Sequence, residues 1–326
     1  MTDLPSEPEL AAHSNDAFFK SVFSEPERAA AFFKSHLPQA IAAEVDWDSL
    51  EVVPTSFVKS SLQQVHSDLL FAANFSGRRT LFYLLFEHQS TPDPVLRLRL
   101  LGYILEMLQR HHQNHGLPLP PVLPFVFHQG PEPWHCSTAF EDLFGMPDEL
   151  AVDLLPFVPQ FRHALLDLTR FDPAAQEADL ELRMILQLMK LARERQLLRF
   201  FEWLAGFVAD QIPDSLLGRM LLYALHADSD LDTEAIHRSL KTSPELERKV
   251  MSVAEKLKAE GRQEGRQEGR QEGRQEDILE TLQIRFGTVP TGLQDAVRKL
   301  QDEPRLRTLL KAAIQAASIE DFTRSL

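Results

Sequence analysis

The run TLFYLLFEHQ at 80–89 constrains the fold most: it is almost continuously apolar and then ends abruptly on Glu87, His88 and Gln89. Its aromatic content predicts a strand rather than a helix. The stretch 65–75, VHSDLLFAANF, has the same character, and the intervening SGRR supplies a glycine suited to a hairpin turn. The two strands are therefore expected to pair antiparallel. Pro92 and Pro94 end the run. From Val95 to about His112 apolar residues recur with helical period, including Leu98, Leu101, Leu105 and Leu108, before a further apolar strand at 119–129, LPPVLPFVFHQ. Strand, helix and strand in that order make a crossover of the length that joins parallel neighbours.

This organisation sits in a chain of 326 residues, enough for two domains and a sizeable core. Residues 14–36 read as two helices, the second capped by Ser24 with Glu27 three residues on and Pro26 in its first turn. LEVVPTSFV at 50–58 reads as one more strand. From Pro173 to about Glu260 the pattern is helical, with Leu180, Met184, Ile185, Leu188 and Met189 as an apolar stripe. Residues 261–276 are four copies of Gly-Arg-Gln-Glu. A four-residue period aligns Glu with Glu and Arg with Arg, and each glycine costs a helix about 1 kcal/mol, so a solvated spacer is expected there. The fold class is thus α/β: a mixed sheet flanked by helices over 1–172, then a helical region at 173–260, the repeat spacer at 261–276, and a small helical tail at 277–326.

Composition excludes several classes. A single cysteine, Cys136, rules out an intrachain disulfide and a cysteine-based zinc cluster. No stretch approaches the roughly 20 apolar residues of a membrane span, and the start MTDLPSEPEL is acidic where a secretion signal is basic, so a cytoplasmic protein without a membrane partner is expected. The net charge of −14 argues against holding DNA by bulk electrostatics; any such contact must be local. Between Phe57 and His115 the balance differs, with six basic residues against Asp68, Glu87, Asp93 and Glu106.

Two of those acids stand where chemistry would account for them. Asp68 lies within a predicted strand, where aspartate is disfavoured and costly if buried alone. Glu87 ends the most apolar strand, with Gln89 two residues on and therefore on the same side of the pleat. Hairpin pairing brings the two carboxylates close, where they repel unless a cation lies between them, and Mg²⁺ meets that demand with hard oxygen ligands and an activated water. An aspartate, about twenty residues, then Glu-x-Gln resembles the PD-(D/E)XK nuclease core with Gln in place of Lys. With NDAFFKSVFSEPERAAAFFKSHLP at 15–38, FYLLFEHQSTPDPVLRLRLLGY at 82–103 and LPPVLPFVFHQG at 119–130, the chain resembles the recombination-promoting nucleases, or YhgA-like putative transposases, over most of its length.

The resemblance implies a restriction-endonuclease-like fold for the mixed sheet, and that Asp68 and Glu87 bind metal while Gln89 takes the place of the motif lysine. Asp16 and Lys20 match the family's amino-terminal Asp-x-x-Phe-Lys pattern and are carried as possible site residues. The family's His-Asp is here Asn15-Asp16, which leaves Asn15 without an assigned role. Since glutamine carries no charge, another cation must neutralise the phosphate, with Lys20, Arg78 and Arg97 as candidates. His111 and His115, one helical turn apart, lack a third ligand and fit the negative end of a helix dipole, and Trp134-His135-Cys136 reads as a loop.

Two functions follow. The first is a Mg²⁺-dependent DNA endonuclease that promotes recombination, working as a dimer. The second is a nuclease-fold protein that binds DNA or itself with little or no cutting, favoured by the acidic charge and the missing lysine. Transposition by three carboxylates ranks below both, since no late-helix glutamate is apparent.

Overall fold

A computed structural model describes residues 7–53, 69–75, 80–147 and 149–326. Three helices lead in: α1 (Glu7–Phe23), α2 (Pro26–His36) and α3 (Gln39–Ala42). A five-stranded sheet follows, formed by β1 (Val45–Val53), β2 (Leu69–Phe75), β3 (Thr80–Gln89), β4 (Val122–His128) and β5 (Ala164–Asp167) in that spatial order. α4 (Leu96–His115) crosses from β3 to β4, and the short α5 (Ala151–Leu154) precedes β5. β1, β2 and β3 pair antiparallel, while β3, β4 and β5 pair parallel, so both the hairpin and the crossover form as expected. β5, a strand of four residues, was not foreseen.

The apolar runs are nearly continuous because both sheet faces are covered. On one face Phe71, Phe86, Phe125 and Phe127 meet Phe19 and Phe23 of α1 and Phe32 and Phe33 of α2, all fully buried. Ring centroids are 4.8 Å apart for Phe19–Phe86 and for Phe32–Phe86. Tilted and edge-on pairs of this kind add about 0.5–1.5 kcal/mol each beyond burial. On the other face Leu70, Leu85 and Val126 pack with Leu96, Leu100, Tyr103 and Met107 of α4 and with Trp134. Strand alternation does the sorting: Leu85 faces α4 and Phe86 faces α1 and α2.

Three local expectations change. Ser24 does not cap α2, whose N-cap Glu25 makes no side-chain cap bond; its hydroxyl instead bonds back to the Lys20 carbonyl, closing α1. β1 begins at Val45 and not Leu50, because an edge strand with only Val45 and Leu50 buried tolerates Asp46 and Asp48; residues 54–58 lie outside the described residues. The repeat at 261–276 is helical throughout.

Beyond the sheet come α6 (Pro173–Gln176), α7 (Leu180–Arg193), α8 (Leu197–Leu204), α9 (Asp214–Ala227) and α10 (Thr233–Ser239). Residues 1–251 form one compact unit, so the helical region shares a unit with the sheet. Tyr223 of α9 stacks on Phe18 of α1 at 4.3 Å. Residues 252–326 form the second unit. It comprises most of α11 (Pro244–Phe286), then α12 (Thr291–Arg298), α13 (Glu303–Gln315) and α14 (Ile319–Thr323), around Ile278, Leu282, Leu293, Val297, Leu306, Leu309 and Phe322. Gln275 of the repeat donates to the carbonyls of Leu300 at 2.8 Å and Arg298 at 3.2 Å, so the last copies belong to this core.

Candidate functional site

The site lies at the carboxyl end of β3. Because side chains alternate, Leu85, Glu87 and Gln89 share the face toward α4, while Phe86 and His88 point the other way. Glu87 is fully buried. Its Oε1 accepts from the Gln89 amide at 2.6 Å and from Arg99 Nη2 at 2.8 Å. Arg99 reaches in from the first turn of α4, and its Nη1 donates to Asp93 Oδ2 at 3.1 Å. Asp93 is fixed in turn by accepting from the Val95 amide at 2.9 Å, a turn that sets up the start of α4. Burial opposes the Arg99 charge, yet Glu87, through charge and hydrogen bond, together with Tyr103 and Asp93, raises the guanidinium above its usual pKa.

Asp68 lies outside the described residues. The register of β2 on β3 is described as far as Leu69 opposite Phe86, one residue short of the pairing expected between Asp68 and Glu87. Gln89 and Glu87 do come together, as their spacing implied.

Asp16 and Lys20 approach β3 from its other face. They form an i,i+4 ion pair of 3.4 Å on α1, and Asp16 Oδ1 lies 3.5 Å from His88 Nδ1. His88 is stacked on Phe19 at 4.8 Å, and its Nε2 is 3.2 Å from Gln129 Oε1. The amide of Gln129, just beyond β4, donates to the Met189 carbonyl at 2.9 Å, the Tyr223 hydroxyl at 3.1 Å and Asn15 Oδ1 at 3.4 Å. The Tyr223 hydroxyl also donates to Asn15, and burial raises the Tyr223 pKa above its usual value. Asn15 thereby acquires a role: it is a buried acceptor tying α1 to β4 and α9.

Of the cations considered, Lys20 is paired with Asp16, and Arg78 lies outside the described residues. Arg97 is turned away, donating to the Ala139 carbonyl at 2.5 Å and to that of Pro94 at 3.3 Å. The guanidinium beside Glu87 belongs to Arg99, which sequence reasoning missed. One signal was available: Arg99 stands three residues after Leu96 and four before Tyr103, beside the stripe that packs on the sheet.

Among the described residues, no group of three or more His, Cys, Asp or Glu side chains gathers to hold a metal ion. The donors present at Glu87 and Gln89 are carboxylate and amide oxygens, which suit a hard cation, but Glu87 is a single carboxylate already countered by Arg99. A divalent ion here therefore depends on a second carboxylate. His111 and His115 stack at 4.6 Å near the end of α4. Burial raises the pKa of the Cys136 thiol, against a role as a nucleophile.

The family model described as putative transposase, YhgA-like, matches residues 13–213, well over half the chain and all the site residues named above except Tyr223. This chain belongs to the YhgA-like family. Its relatives include the recombination-promoting nuclease RpnD of Escherichia coli O157:H7, 30% identical over 251 residues that make up 74% of this chain and 93% of the relative. Recombination-promoting nuclease RpnA of E. coli K12 is 29% identical, covering 76% of this chain and 85% of its own length. The inactive recombination-promoting nuclease-like protein RpnE of the same strain is also 29% identical, covering 76% and 83%. No solved structure matches the chain. YhgA-like relatives thus include proteins named as nucleases and others named as inactive. Among the described residues, no helix is long and apolar enough to cross a membrane.

Proposed function

We propose that this protein is a metal-dependent DNA endonuclease of PD-(D/E)XK type, acting in the cytoplasm as a homodimer and promoting recombination through the breaks it makes. The observation that carries the reading is Glu87: a fully buried carboxylate at the end of the central strand, hydrogen-bonded to Gln89 and countered by Arg99. Burying a carboxylate is expensive, and a chain needing only a stable strand end would place an apolar residue there. Asp68 and Glu87 would hold Mg²⁺, which supplies an activated water and neutralises charge on the phosphodiester. Gln89 fixes the Glu87 carboxylate through its amide. Arg99 supplies beside it the positive charge that a glutamine in the motif-lysine position lacks, available to the phosphate as charge develops. Asp93 holds Arg99 in that position.

A second reading has its own support. Some relatives are named as inactive, and Arg99 counters the Glu87 charge without a metal. Incubating purified protein with supercoiled plasmid and Mg²⁺, beside an EDTA control, separates the two. Nicking by wild type, lost with EDTA, in Asp68→Ala and in Glu87→Gln while both variants stay folded, is the expected outcome. A wild type that retards plasmid in a gel but never nicks it would establish the binding protein instead.

A further inference from the structure

The repeat helix in the second unit offers a site that the nuclease reading does not use. A four-residue period at about 1.5 Å per residue spaces successive arginines about 6 Å apart, each turned about 40° from the last. Arg262, Arg266 and Arg270 form such a ladder on α11, and all three are exposed. With Gln263, Gln267 and Glu303 they line a groove of about 780 Å³. The charge of Glu303 is already taken. It is bonded to Arg274, the fourth arginine of the series, and Arg307 lies 3.5 Å from the same carboxylate oxygen. Arg274 first, through hydrogen bond and charge, then Arg307 and Arg270, hold Glu303 below the usual carboxylate range. Among the described residues, Arg262, Arg266 and Arg270 form no ion pair within 4.0 Å.

The glycines supply an independent observation. Gly261, Gly265, Gly269 and Gly273 each cost the helix about 1 kcal/mol relative to alanine. A Cβ built on any of them would meet nothing within 4 Å, so no packing among the described residues accounts for them. Each directly precedes an arginine, leaving a strip of bare helix backbone beside the guanidinium ladder. Such a strip permits close approach by something outside the chain.

We infer that Arg262, Arg266 and Arg270 bind the phosphate backbone of DNA, with the glycine strip admitting the strand and Gln263 and Gln267 donating to phosphate oxygens. Guanidinium groups suit this ligand because their planar fork matches two phosphate oxygens at once. The choice of DNA among polyanions rests on the proposed nuclease function. A chain of net charge −14 attracts no polyanion as a whole, so its affinity must come from a local cluster.

The test measures binding of full-length protein to a fluorescein-labelled DNA duplex by anisotropy in EDTA, across a salt series. Each phosphate contact contributes about 0.9 to the slope of log K against log salt, so R262Q/R266Q/R270Q should lower that slope by about 2.7. The lysine triple R262K/R266K/R270K should keep the slope, and unchanged helicity by circular dichroism should accompany both. An unchanged slope in the glutamine triple overturns this site while leaving the nuclease reading intact. A wild type that neither binds nor nicks DNA overturns both, and a slope lost equally in the lysine triple places the effect in folding and overturns the site.

Discussion

The Glu87–Arg99 pair can be measured directly by a double-mutant cycle. Arg99→Met strips the Arg99 counter-charge from a carboxylate with no exposed surface, while the hydrogen bond from the Gln89 amide is kept. Removing one partner of a buried ion pair costs roughly 3–5 kcal/mol. The Arg99 side chain is 29% exposed, so water already screens part of this interaction, and about 2–4 kcal/mol is expected. Glu87→Gln costs less, about 1–2 kcal/mol, because the guanidinium retains Asp93 at 3.1 Å as well as solvent, and the new amide oxygen still accepts its hydrogen bond. The double variant leaves no charge stranded, so its loss should fall about 2 kcal/mol short of the sum of the singles. Tryptophan fluorescence during urea unfolding suits the measurement, since Trp47, Trp134 and Trp203 all lie in the 1–251 unit and report on that unit alone. In thermal melts Arg99→Met should lower Tm by roughly 4–16 °C, taking about 2–4 °C per kcal/mol for a unit of this size. Losses that add to within about 0.5 kcal/mol would mean the two groups act independently, and the electrostatic account of the site would then fail.

Two further outcomes follow from particular residues. His163 is buried beside Trp134 and, through burial first and the nearby charge of Arg97 second, its pKa is depressed from 6.5 to about 4. Between those values the unfolded chain binds more protons than the folded one, so stability is complete above pH 6.5, falls by up to about 3 kcal/mol as pH drops toward 4, and flattens below; urea midpoints measured across this range should lose that slope in His163→Phe, and a slope that persisted in the variant would place its source elsewhere. Replacing Gly261, Gly265, Gly269 and Gly273 by alanine should raise the thermal stability of the helix, by up to about 1 kcal/mol per site, because each added Cβ enters open space; a lower melting temperature by far-UV circular dichroism would show that the glycines are packed against.

The sheet was legible where local pattern and tertiary demand coincide. TLFYLLFEHQ, the apolar stretch before it and the α4 crossover determine the neighbours of β3, and a period of two places Glu87 and Gln89 together. Arg99 was not legible by the same means. An arginine in the first turn of an amphipathic helix is ordinarily solvated, and only the packing of Leu96, Leu100 and Tyr103 on the sheet turns that helix so that Arg99 meets the end of β3. The network of Asn15, Gln129 and Tyr223 is further from reach, since its members are separated by 114 and 94 residues and no periodicity links them.

The start of β1 and the repeat were misjudged for one shared reason. Asp46 and Asp48 are poor strand residues, and glycine at every fourth position makes a poor isolated helix, so intrinsic cost argued against both. The folded chain offsets each cost from outside the segment. An exposed sheet edge lets the aspartates face solvent, and in the repeat Gln271, Arg274 and Gln275 bond to Leu300, Glu303 and Arg298 across the second unit. That anchoring reaches only the last two copies, leaving Arg262 and Arg266 on helix held by its continuity alone. Residues kept in register by a distant anchor, and forming no ion pair among the described residues, are suited to binding something outside the chain, and the salt dependence of DNA binding measures whether they do.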